Sequence, residues 1–327
     1  MWIEESAPSN IALIKYMGKS DFINNRPTNV SVSYTLDELK TFVRIKKVDS
    51  PDDLTDTWNP FLRSDLLPIK LSEKGNSKFL AFFQILKKEF QLNGFYQIES
   101  ANNFPSDCGL ASSASSYAAL TKAAHAIYCL NNHPYTAKEL SKISQKGSGS
   151  SCRSFFSPWG LWQNDGAEEI ELPHSNLLHA VILCDESIKS VSSSQAHSLV
   201  LTSDLFKHRP ERANLRYHDL INQLRLNDWK KAFEICWTEF WDMHILFHTS
   251  RPAFMYMNSG SQKALTDLLF FWNKDNDGPL ITMDAGSNIH LLFRADQKKY
   301  YDYYTDHFLK YFNMWSHGKY NHKADLK

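Results

Sequence analysis

The feature that most constrains this chain is a run of small residues placed directly before an apolar helix. The run is C-G-L-A-S-S-A-S-S at residues 108–116, and apolar residues recur at helical spacing from Ala114 to Tyr128. Small side chains leave backbone N–H groups and the positive end of the helix open to an anion. The segment therefore predicts a phosphate-binding loop. The alternative is an ordinary helix cap, because Ser and Gly also flank many helices that bind no ligand.

Length and composition indicate a globular protein with one large or two ordinary domains. The chain has 327 residues, of which 43% are hydrophobic, and a formal net charge of zero. Balanced charge without a long basic block argues against nucleic acid or a membrane surface as a partner. The five cysteines form no C-x-x-C pair, and no run reaches the roughly 20 apolar residues that span a bilayer. We therefore expect a cytoplasmic protein with reduced thiols.

Hydrophobic patterning predicts mixed helices and strands arranged in two parts. Helices are predicted at 79–91, 114–128, 212–247, 259–273 and 298–312, and strands at 41–48, at 178–184 and on both sides of a turn at 284–288. A serine-rich polar stretch at 187–198 separates the two parts. We therefore predict an α+β fold with an N-terminal domain at residues 1–185 and a C-terminal domain at residues 186–327.

A second segment near the N-terminus carries cationic groups close to a glycine. N-I-A-L-I-K-Y-M-G-K at residues 10–19 places Lys15, Tyr16 and Lys19 beside one turn. Two ammonium groups and a phenol at such a turn are suited to holding a polyanion. The alternative is a first strand whose lysines are simply solvated.

Two further segments contain groups suited to catalysis. K-G-S-G-S-S-C-R at residues 146–153 combines glycines and hydroxyls with Arg153, whose guanidinium can grip a carboxylate through two parallel N–H bonds. D-A-G-S-N begins at Asp284 between two apolar runs, so its carboxylate lies at a strand end, a usual position for a catalytic base. A plain Asp-Gly hairpin is the alternative there.

Other motifs are weaker or missing. His244 and His248 have the spacing of a zinc pair, but Ile245 stands where the metalloprotease motif requires Glu, so we expect structural histidines. The Walker pattern G-x-x-x-x-G-K-[ST] and the dinucleotide pattern G-x-G-x-x-G do not occur. Neither the usual nucleotide loop nor a dinucleotide fold is therefore indicated.

Taken together, the segments resemble the diphosphomevalonate decarboxylases of the GHMP kinase superfamily nearly from end to end. The matching segments, in family order, are N-I-A-L-I-K-Y-M-G-K at 10, R-P-T-N-V-S-V-S at 26, N-N-F-P-S-D-C-G-L-A-S-S-A-S at 102, K-G-S-G-S-S-C-R-S at 146, V-S-S-S-Q at 191, F-M-Y-M-N at 254 and M-D-A-G-S-N at 283. The superfamily's phosphate loop, P-x-x-x-G-L-x-S-S-A, corresponds to Pro105–Ala114. Seven collinear segments make a chance match very improbable.

The resemblance implies a GHMP kinase fold. Such a fold has two lobes, an N-terminal domain of the ribosomal-S5-like domain 2 type and a C-terminal domain of ferredoxin-like type, with the active site in the cleft between them. Homodimers are usual among relatives, so the resemblance also implies a homodimer.

The resemblance further implies a reaction of the mevalonate pathway for isoprenoid biosynthesis. ATP, with Mg²⁺, phosphorylates the C3 hydroxyl of (R)-5-diphosphomevalonate, and phosphate and CO2 then leave to give isopentenyl diphosphate. Asp284 matches the family's catalytic aspartate, which orients or deprotonates that hydroxyl. Arg153 matches the arginine that holds the substrate carboxylate. Lys15 is the third catalytic residue that the resemblance implies.

The same resemblance implies binding roles for further residues. The substrate positions are Asn10, Tyr16, Met17, Gly18, Lys19, Ser148, Gly149, Ser150, Ser151, Cys152, Arg153, Ser193 and Ser194. The positions for the ATP phosphates are Pro105, Cys108, Gly109, Leu110, Ala111, Ser112, Ser113 and Ala114. No metal site made by the protein alone is expected, because Mg²⁺ arrives with ATP near Ser112 or Ser113. Lys74 is a further candidate for positive charge at the substrate site.

Some positions depart from the family pattern and leave other functions open. Met17 stands where Trp is common, Ser20 replaces a basic residue, Ser287 replaces Pro, and Ser194 stands where some members carry Arg. With less positive charge, a phosphomevalonate decarboxylase acting on the monophosphate is the closest alternative. A mevalonate kinase is disfavoured by Asp284, which such relatives tend to lack. A binding protein that keeps the fold without catalysis is the alternative from another class.

Overall fold

The computed structural model describes residues 1–48, 55–105, 112–185 and 190–323. Strands are β1 (Ile3–Ile14), β2 (Lys19–Asp21), β3 (Arg26–Pro27), β4 (Ser31–Val48), β5 (Thr57–Pro60), β6 (Leu67–Pro68), β7 (Phe95–Asn102), β8 (Trp159–Asn164), β9 (Gly166–Glu169), β10 (Leu178–Leu183), β11 (Leu280–Thr282), β12 (Ile289–Phe293), β13 (Asn313–Ser316) and β14 (Lys319–Asn321). Helices are α1 (Glu73–Glu89), α2 (Ser112–Tyr128), α3 (Ala137–Gln145), α4 (Ser193–Leu199), α5 (Arg209–Arg225), α6 (Trp229–Thr249), α7 (Ser259–Asp275) and α8 (Lys298–Phe308). Short 3-10 helices cover Gly149–Phe155, Val200–Thr202, Phe206–His208 and Ala295–Gln297. In these ranges no helix is both long and apolar enough to cross a membrane.

The first sheet is built around β4, whose length lets it pair with three other strands. It runs antiparallel to β1, β7 and β8, while β9 extends β8, and β5 and β6 extend β7. Along its second half the side chains alternate, with Val43 and Ile45 buried and Lys46 exposed. The buried face packs against α1 and α2. The strand predicted at 41–48 is confirmed.

The second sheet has the order β11-β12-β10-β13-β14, and every neighbouring pair in it is antiparallel. Its first two strands are those predicted on either side of the turn at 284–288. The strand predicted at 178–184 is β10, which pairs in this second sheet although it precedes residue 185. This pairing favours a domain boundary before β10. The division of the chain into two domains stays a prediction.

Capping residues determine where the helices begin and end, and the spacing of apolar residues does not reveal them. The prediction of one helical segment at 212–247 is wrong, because the chain forms α5 and α6 there. Asn227 adopts a left-handed conformation with φ of 56°, and the Asp228 side chain then accepts the backbone N–H of Lys231 as a new N-cap. The serine-rich stretch at the predicted boundary contains α4, which begins with a capping box at Ser192.

The largest hydrophobic cluster joins the two sheets into one core. Ile11 of β1 and Val32 of β4 belong to the same cluster as Phe240 of α6 and Ile281 of β11, and all four side chains are fully buried. Burial of each such side chain contributes about 1.5–3 kcal/mol. This shared core holds the end of β1 in a fixed position relative to α6 and β11.

Candidate active site

A cavity of about 430 Å³ lies where the two sheets approach each other. Its wall is formed by the end of β1, the first turn of α2, the 3-10 helix after α3, the start of α4 and the turn after β11. The residues predicted for the site that line it are Asn10, Lys15, Tyr16, Met17, Lys19, Ser112, Ser113, Ser148, Gly149, Ser150, Arg153, Ser193, Ser194 and Asp284. Segments far apart in sequence therefore meet at one place.

Lys15 and Asp284 form an ion pair in this cavity. Nζ of Lys15 lies 2.7 Å from Oδ1 of Asp284. The Lys15 side chain is 1% exposed, whereas that of Asp284 is 37% exposed. Burial by itself raises the pKa of the Asp284 carboxyl, but the ammonium of Lys15 and weaker contributions from other basic groups bring that pKa below its ordinary value. Asp284 is therefore ionised at neutral pH and able to accept a proton.

Lys15 is held from behind by a buried network of charged groups. Its backbone N–H donates to Glu239 Oε1 at 2.9 Å, and its carbonyl accepts from Asn29 Nδ2 at 2.9 Å. Glu239 forms ion pairs with Arg209 and Arg216, and both Glu239 and Arg209 are fully buried. Because these buried charges are paired and hydrogen-bonded, they fix the end of β1 and the Lys15 ammonium with it.

Glu239→Gln is expected to lower the free energy of unfolding by about 3–5 kcal/mol, because Arg209 keeps its buried charge and loses its main partner. Urea denaturation of both proteins measures this difference. The exposed Glu211 supplies a matched control, and Glu211→Gln should change the same free energy by less than about 0.5 kcal/mol. A loss of under about 1 kcal/mol for Glu239→Gln would contradict a stabilising role for the network.

Asp284 is positioned through its backbone. His244 Nε2 donates to the Asp284 carbonyl at 3.1 Å, and Thr282 Oγ1 donates to the Ala12 carbonyl at 3.3 Å, which ties β11 to β1. Burial lowers the pKa of His244 to about 3, so its imidazole is neutral. His244 thus supports the turn that carries the Asp284 carboxylate.

Arg153 presents a fixed guanidinium to the cavity. Its Nη1 donates to Ser31 Oγ at 2.9 Å and its Nε donates to Asn10 Oδ1 at 3.1 Å. The side chain is almost completely buried, and the guanidinium lies 5.7 Å from the centre of the Trp162 ring. Within the described ranges no carboxylate forms an ion pair with it. A buried cation held only by neutral groups is suited to an anionic ligand.

A second group of cations lies elsewhere on the cavity wall. Lys19 Nζ donates to Asn25 Oδ1 at 2.6 Å, and Lys78 Nζ donates to Ser194 Oγ at 3.3 Å. Neither ammonium is ion-paired with a carboxylate of the described chain. Burial, followed by the charge of Lys78, lowers the pKa of Lys19 to about 8. We call Lys19 and Lys78, together with the hydroxyls of Ser193 and Ser194, the basic end of the cavity.

Two predicted substrate positions have side chains beneath the cavity rather than in its wall. Ser151 Oγ donates to the carbonyls of Ser144 and Ser148, so its hydroxyl is used within the local fold. Cys152 is fully buried against Trp162, and burial raises the pKa of its thiol to about 12. These two side chains support the 3-10 helix that carries Arg153.

The remaining predicted positions also lie outside the wall or outside the described residues. Gly18 donates its N–H to His197 Nδ1 at 3.0 Å. Ala114 is buried in the first turns of α2, and Pro105 is half-buried before it. Cys108, Gly109, Leu110 and Ala111 lie outside the described residues.

The sequence did not point to several residues of the wall. Lys78 lines the cavity from α1, whereas the sequence suggested Lys74, which lies one helical turn earlier. Residues four apart lie on the same face of a helix, so this spacing could have pointed from Lys74 to Lys78. His197 lies in the serine-rich stretch predicted to separate the two domains, and no sequence motif there indicates a binding role for it. The other wall residues missed by sequence analysis are Ala12, Tyr117, Ser192, Met243 and Ala285.

Comparison with known families gives two matches that together cover most of the chain. The diphosphomevalonate decarboxylase-like N-terminal domain matches residues 7–171. The mevalonate 5-diphosphate decarboxylase C-terminal domain matches residues 179–325. The two matches divide just before β10.

Individual relatives agree along nearly the whole length. The diphosphomevalonate decarboxylase of Candida albicans is 33% identical over 326 residues, covering 93% of this chain and 87% of the relative. The crystal structure of a mevalonate diphosphate decarboxylase from Legionella pneumophila has a TM-score of 0.89 and 40% identity, covering 96% of this chain and 100% of that one. The structure of MDDEF in complex with MVAPP, AMPPCP and magnesium has a TM-score of 0.81 and 27% identity, covering 94% of each chain.

Proposed function

Because this chain belongs to the diphosphomevalonate decarboxylase family, we propose that it converts (R)-5-diphosphomevalonate and ATP into isopentenyl diphosphate, ADP, phosphate and CO2. The predicted family and the predicted GHMP kinase fold are confirmed. The observation that carries the proposed function is the convergence of the Lys15–Asp284 ion pair, the Arg153 guanidinium and the first turn of α2 on one cavity.

In the first step the C3 hydroxyl of the substrate attacks the γ-phosphate of ATP. Asp284 accepts the hydroxyl proton as the new O–P bond forms, and ADP leaves. The Lys15 ammonium, 2.7 Å from Oδ1, keeps the carboxylate ionised until then and holds its orientation. This step converts a poor leaving group at C3 into a good one.

In the second step phosphate and CO2 leave together. The C3–O bond breaks with release of phosphate, the bond from C2 to the carboxyl carbon breaks with release of CO2, and that electron pair forms the new double bond. Arg153 holds the carboxylate in the orientation from which this can occur, because Ser31 and Asn10 fix the guanidinium. Positioning and electrostatics therefore supply most of the catalysis.

ATP and Mg²⁺ fit the residues present. Ser112 and Ser113 open α2 on the cavity wall, where hydroxyls and backbone N–H groups suit the phosphates of ATP. The described residues contain no group of three or more His, Cys, Asp or Glu side chains that could hold a metal ion. Mg²⁺ that accompanies ATP would meet the hydroxyl oxygens of those two serines, which are ligands suited to it. When bound, it neutralises charge on the phosphates during transfer.

The basic end favours the diphosphate over the monophosphate as substrate. Ser194, which stands where some members carry Arg, accepts a hydrogen bond from the Lys78 ammonium at 3.3 Å. Lys78 therefore places a positive charge close to position 194, where this chain has Ser and some members have Arg. Together with Lys19, it offers two positive charges to the phosphorylated end of the substrate.

Purified protein tests the proposed function directly. The protein is incubated with ATP, Mg²⁺ and each of diphosphomevalonate, phosphomevalonate and mevalonate, and ADP, phosphate and CO2 are measured. Equal release of phosphate and CO2 from diphosphomevalonate supports the proposal. Faster release from phosphomevalonate would show that the monophosphate is the substrate instead. ADP without CO2 would indicate a kinase, and no product would indicate a binding protein.

From family membership we also propose a cytoplasmic homodimer. From the pairing of β10 and the division between the two family matches, we propose that the domains divide just before β10 rather than at residue 185. Light scattering of the purified protein gives the mass in solution, and imaging of a tagged protein gives its location in the cell. Limited proteolysis locates the boundary, because accessible connections between domains are cut first. Cleavage well before β10, or a monomer, would contradict the corresponding proposal.

Lys15→Met is expected to shift the acid limb of the kcat/KM pH profile upwards by about 1–3 pH units. Activity requires the ionised carboxylate of Asp284, so it falls as pH drops through the pKa of Asp284. Without the ammonium the effect of burial remains, and that pKa rises. Exposed Lys46 on β4 supplies the control, and Lys46→Met should leave the acid limb in place. An unmoved limb in Lys15→Met would contradict the assigned role of Lys15.

A further inference from the structure

His197 occupies a defined place beside the basic end of the cavity. It lies on α4, and its ring is tilted over Tyr16 with 4.3 Å between ring centres. Its Nδ1 accepts the backbone N–H of Gly18 at 3.0 Å. The residue is 7% exposed and lines the cavity. His197 therefore connects α4 with the turn that precedes Lys19.

The hydrogen bond from Gly18 determines the tautomer of His197. Since Nδ1 accepts, the ring proton of the neutral imidazole is on Nε2. Burial, followed by the charges of Lys19 and Lys78, lowers the pKa of His197 to about 3, so the ring is neutral at working pH. No partner for Nε2 is found among the described residues. The second nitrogen is thus an N–H donor on a residue of the cavity wall.

The surroundings of His197 indicate an anionic ligand. Lys19 and Lys78 are the two charged groups that act on it, and each is bonded only to a neutral side chain, Asn25 or Ser194. By contrast, Lys15 is the charged group that acts most strongly on Asp284, and Arg153 acts on it more weakly. The reacting groups and the basic end are therefore two distinct sets of side chains within one cavity.

On the basis of the proposed function, we propose that His197 is a specificity-determining residue that donates its Nε2–H to the terminal phosphate of the diphosphate group. That phosphate is the part of the substrate farthest from C3, so it belongs with Lys19 and Lys78, the cavity cations that form no ion pair with Asp284. A neutral donor suits this position, because two ammonium groups already lie there and a third cation would be repelled by them. The monophosphate has no terminal phosphate to accept this bond.

The two ring nitrogens have separable roles, and amide side chains can replace them one at a time. In His197→Asn the side-chain oxygen can take the place of Nδ1 as acceptor for Gly18, but no donor reaches the position of Nε2. In His197→Gln the amide N–H₂ reaches farther and can replace Nε2. His197→Met keeps an apolar side chain of similar length and provides neither group.

We expect KM for diphosphomevalonate to rise about 10- to 100-fold in His197→Met and His197→Asn, and to recover to within about threefold in His197→Gln. KM for ATP should change less than about twofold in all three variants, and the weaker activity on phosphomevalonate should not fall further. The preference for diphosphomevalonate over phosphomevalonate therefore decreases when the Nε2–H donor of His197 is removed. Exposed His218 provides the control, and His218→Met should match the unaltered protein.

Several results would overturn the assignment of His197. A rise in KM for ATP alone would assign the residue to the nucleotide, and equal losses with both phosphorylated substrates would show a general structural effect. Failure of His197→Gln to recover while His197→Asn does would assign the effect to the Gly18 contact. If the unaltered protein releases no CO2 from diphosphomevalonate, the proposed function fails instead, and this outcome is seen before any variant is made.

A measurement without turnover tests the same contact. The protein is labelled with ¹⁵N-histidine, and the His197 signals are assigned by comparison with His197→Gln. We expect an Nε2–H tautomer in the unbound protein and a shift of the Nε2 signal on titration with inorganic diphosphate. An Nδ1–H tautomer, or an Nε2 signal unchanged at saturation with diphosphate, would contradict the proposal even if the kinetic results agreed with it.

Discussion

An Asp284→Asn enzyme is expected to lose about 10³-fold in kcat, with a Kd for diphosphomevalonate within about threefold of the unaltered protein. The amide has the size of the carboxylate and can still accept the hydrogen bond from Lys15, so the site should keep its shape. It cannot accept the proton of the C3 hydroxyl, so the phosphoryl transfer loses its base. The loss therefore falls on kcat, because the proton moves only in the transition state.

Single-turnover kinetics and calorimetric binding separate these two quantities for Asp284→Asn. Asp296 has an exposed side chain, and Asp296→Asn controls for the general effect of removing a carboxylate. Unfolding in urea checks that the variant keeps its stability. A kcat within about tenfold of normal would contradict the role of Asp284 as the base, and a large loss of substrate binding with intact kcat would make it a binding group instead.

Sequence patterns predicted elements whose signals are local. The strand at 41–48 follows from the alternation of buried and exposed side chains along β4, and β11 and β12 follow from apolar runs on both sides of a glycine turn. The break at Asn227 was missed, because it depends on one left-handed residue and one cap within a continuous hydrophobic pattern. Local conformation can therefore override the spacing of apolar residues.

The site was predicted only as separate segments. Lys15 and Asp284 are 269 residues apart in sequence, and no spacing rule brings them within hydrogen-bond distance. The core shared by β1, α6 and β11 does so, and the buried ion pair of Glu239 and Arg209 then fixes the geometry. Family resemblance pointed to the two residues, but physical contact between them depends on packing across the whole chain.

Lys78 and His197 are site residues that were not predicted from the sequence. Lysine on an amphipathic helix is usually a solvated surface residue, and histidine in a serine-rich stretch carries no pattern. Their place in the site is shown only by their contacts: Lys78 bonds to Ser194, and His197 contacts Gly18 and Tyr16. Such contacts are tertiary, so they become visible only in the folded molecule.

An Arg153→Ala enzyme is expected to lose about 10³-fold in kcat/KM, and Arg153→Lys about 10²-fold. Alanine removes both the charge and the N–H fork that faces the carboxylate. Lysine restores the charge but offers a point donor, and it cannot bond to Ser31 and Asn10 while also gripping both carboxylate oxygens. KM should rise as kcat falls, because Arg153 holds the carboxylate both in the bound substrate and in the transition state.

The products distinguish a clamp from a group needed only for the loss of CO2. If Arg153 positions the whole substrate, its C3 hydroxyl is misplaced relative to Asp284 in the variants, and ADP and CO2 release fall together in a constant ratio. ADP release that exceeds CO2 release would instead assign Arg153 to the second step alone. Arg26 and Asp165 form an exposed ion pair, so Arg26→Lys is the matched control and should leave both rates unchanged. An unchanged KM and rate in Arg153→Ala would contradict the clamp, because a buried cation without a carboxylate partner in the described chain would then serve no ligand.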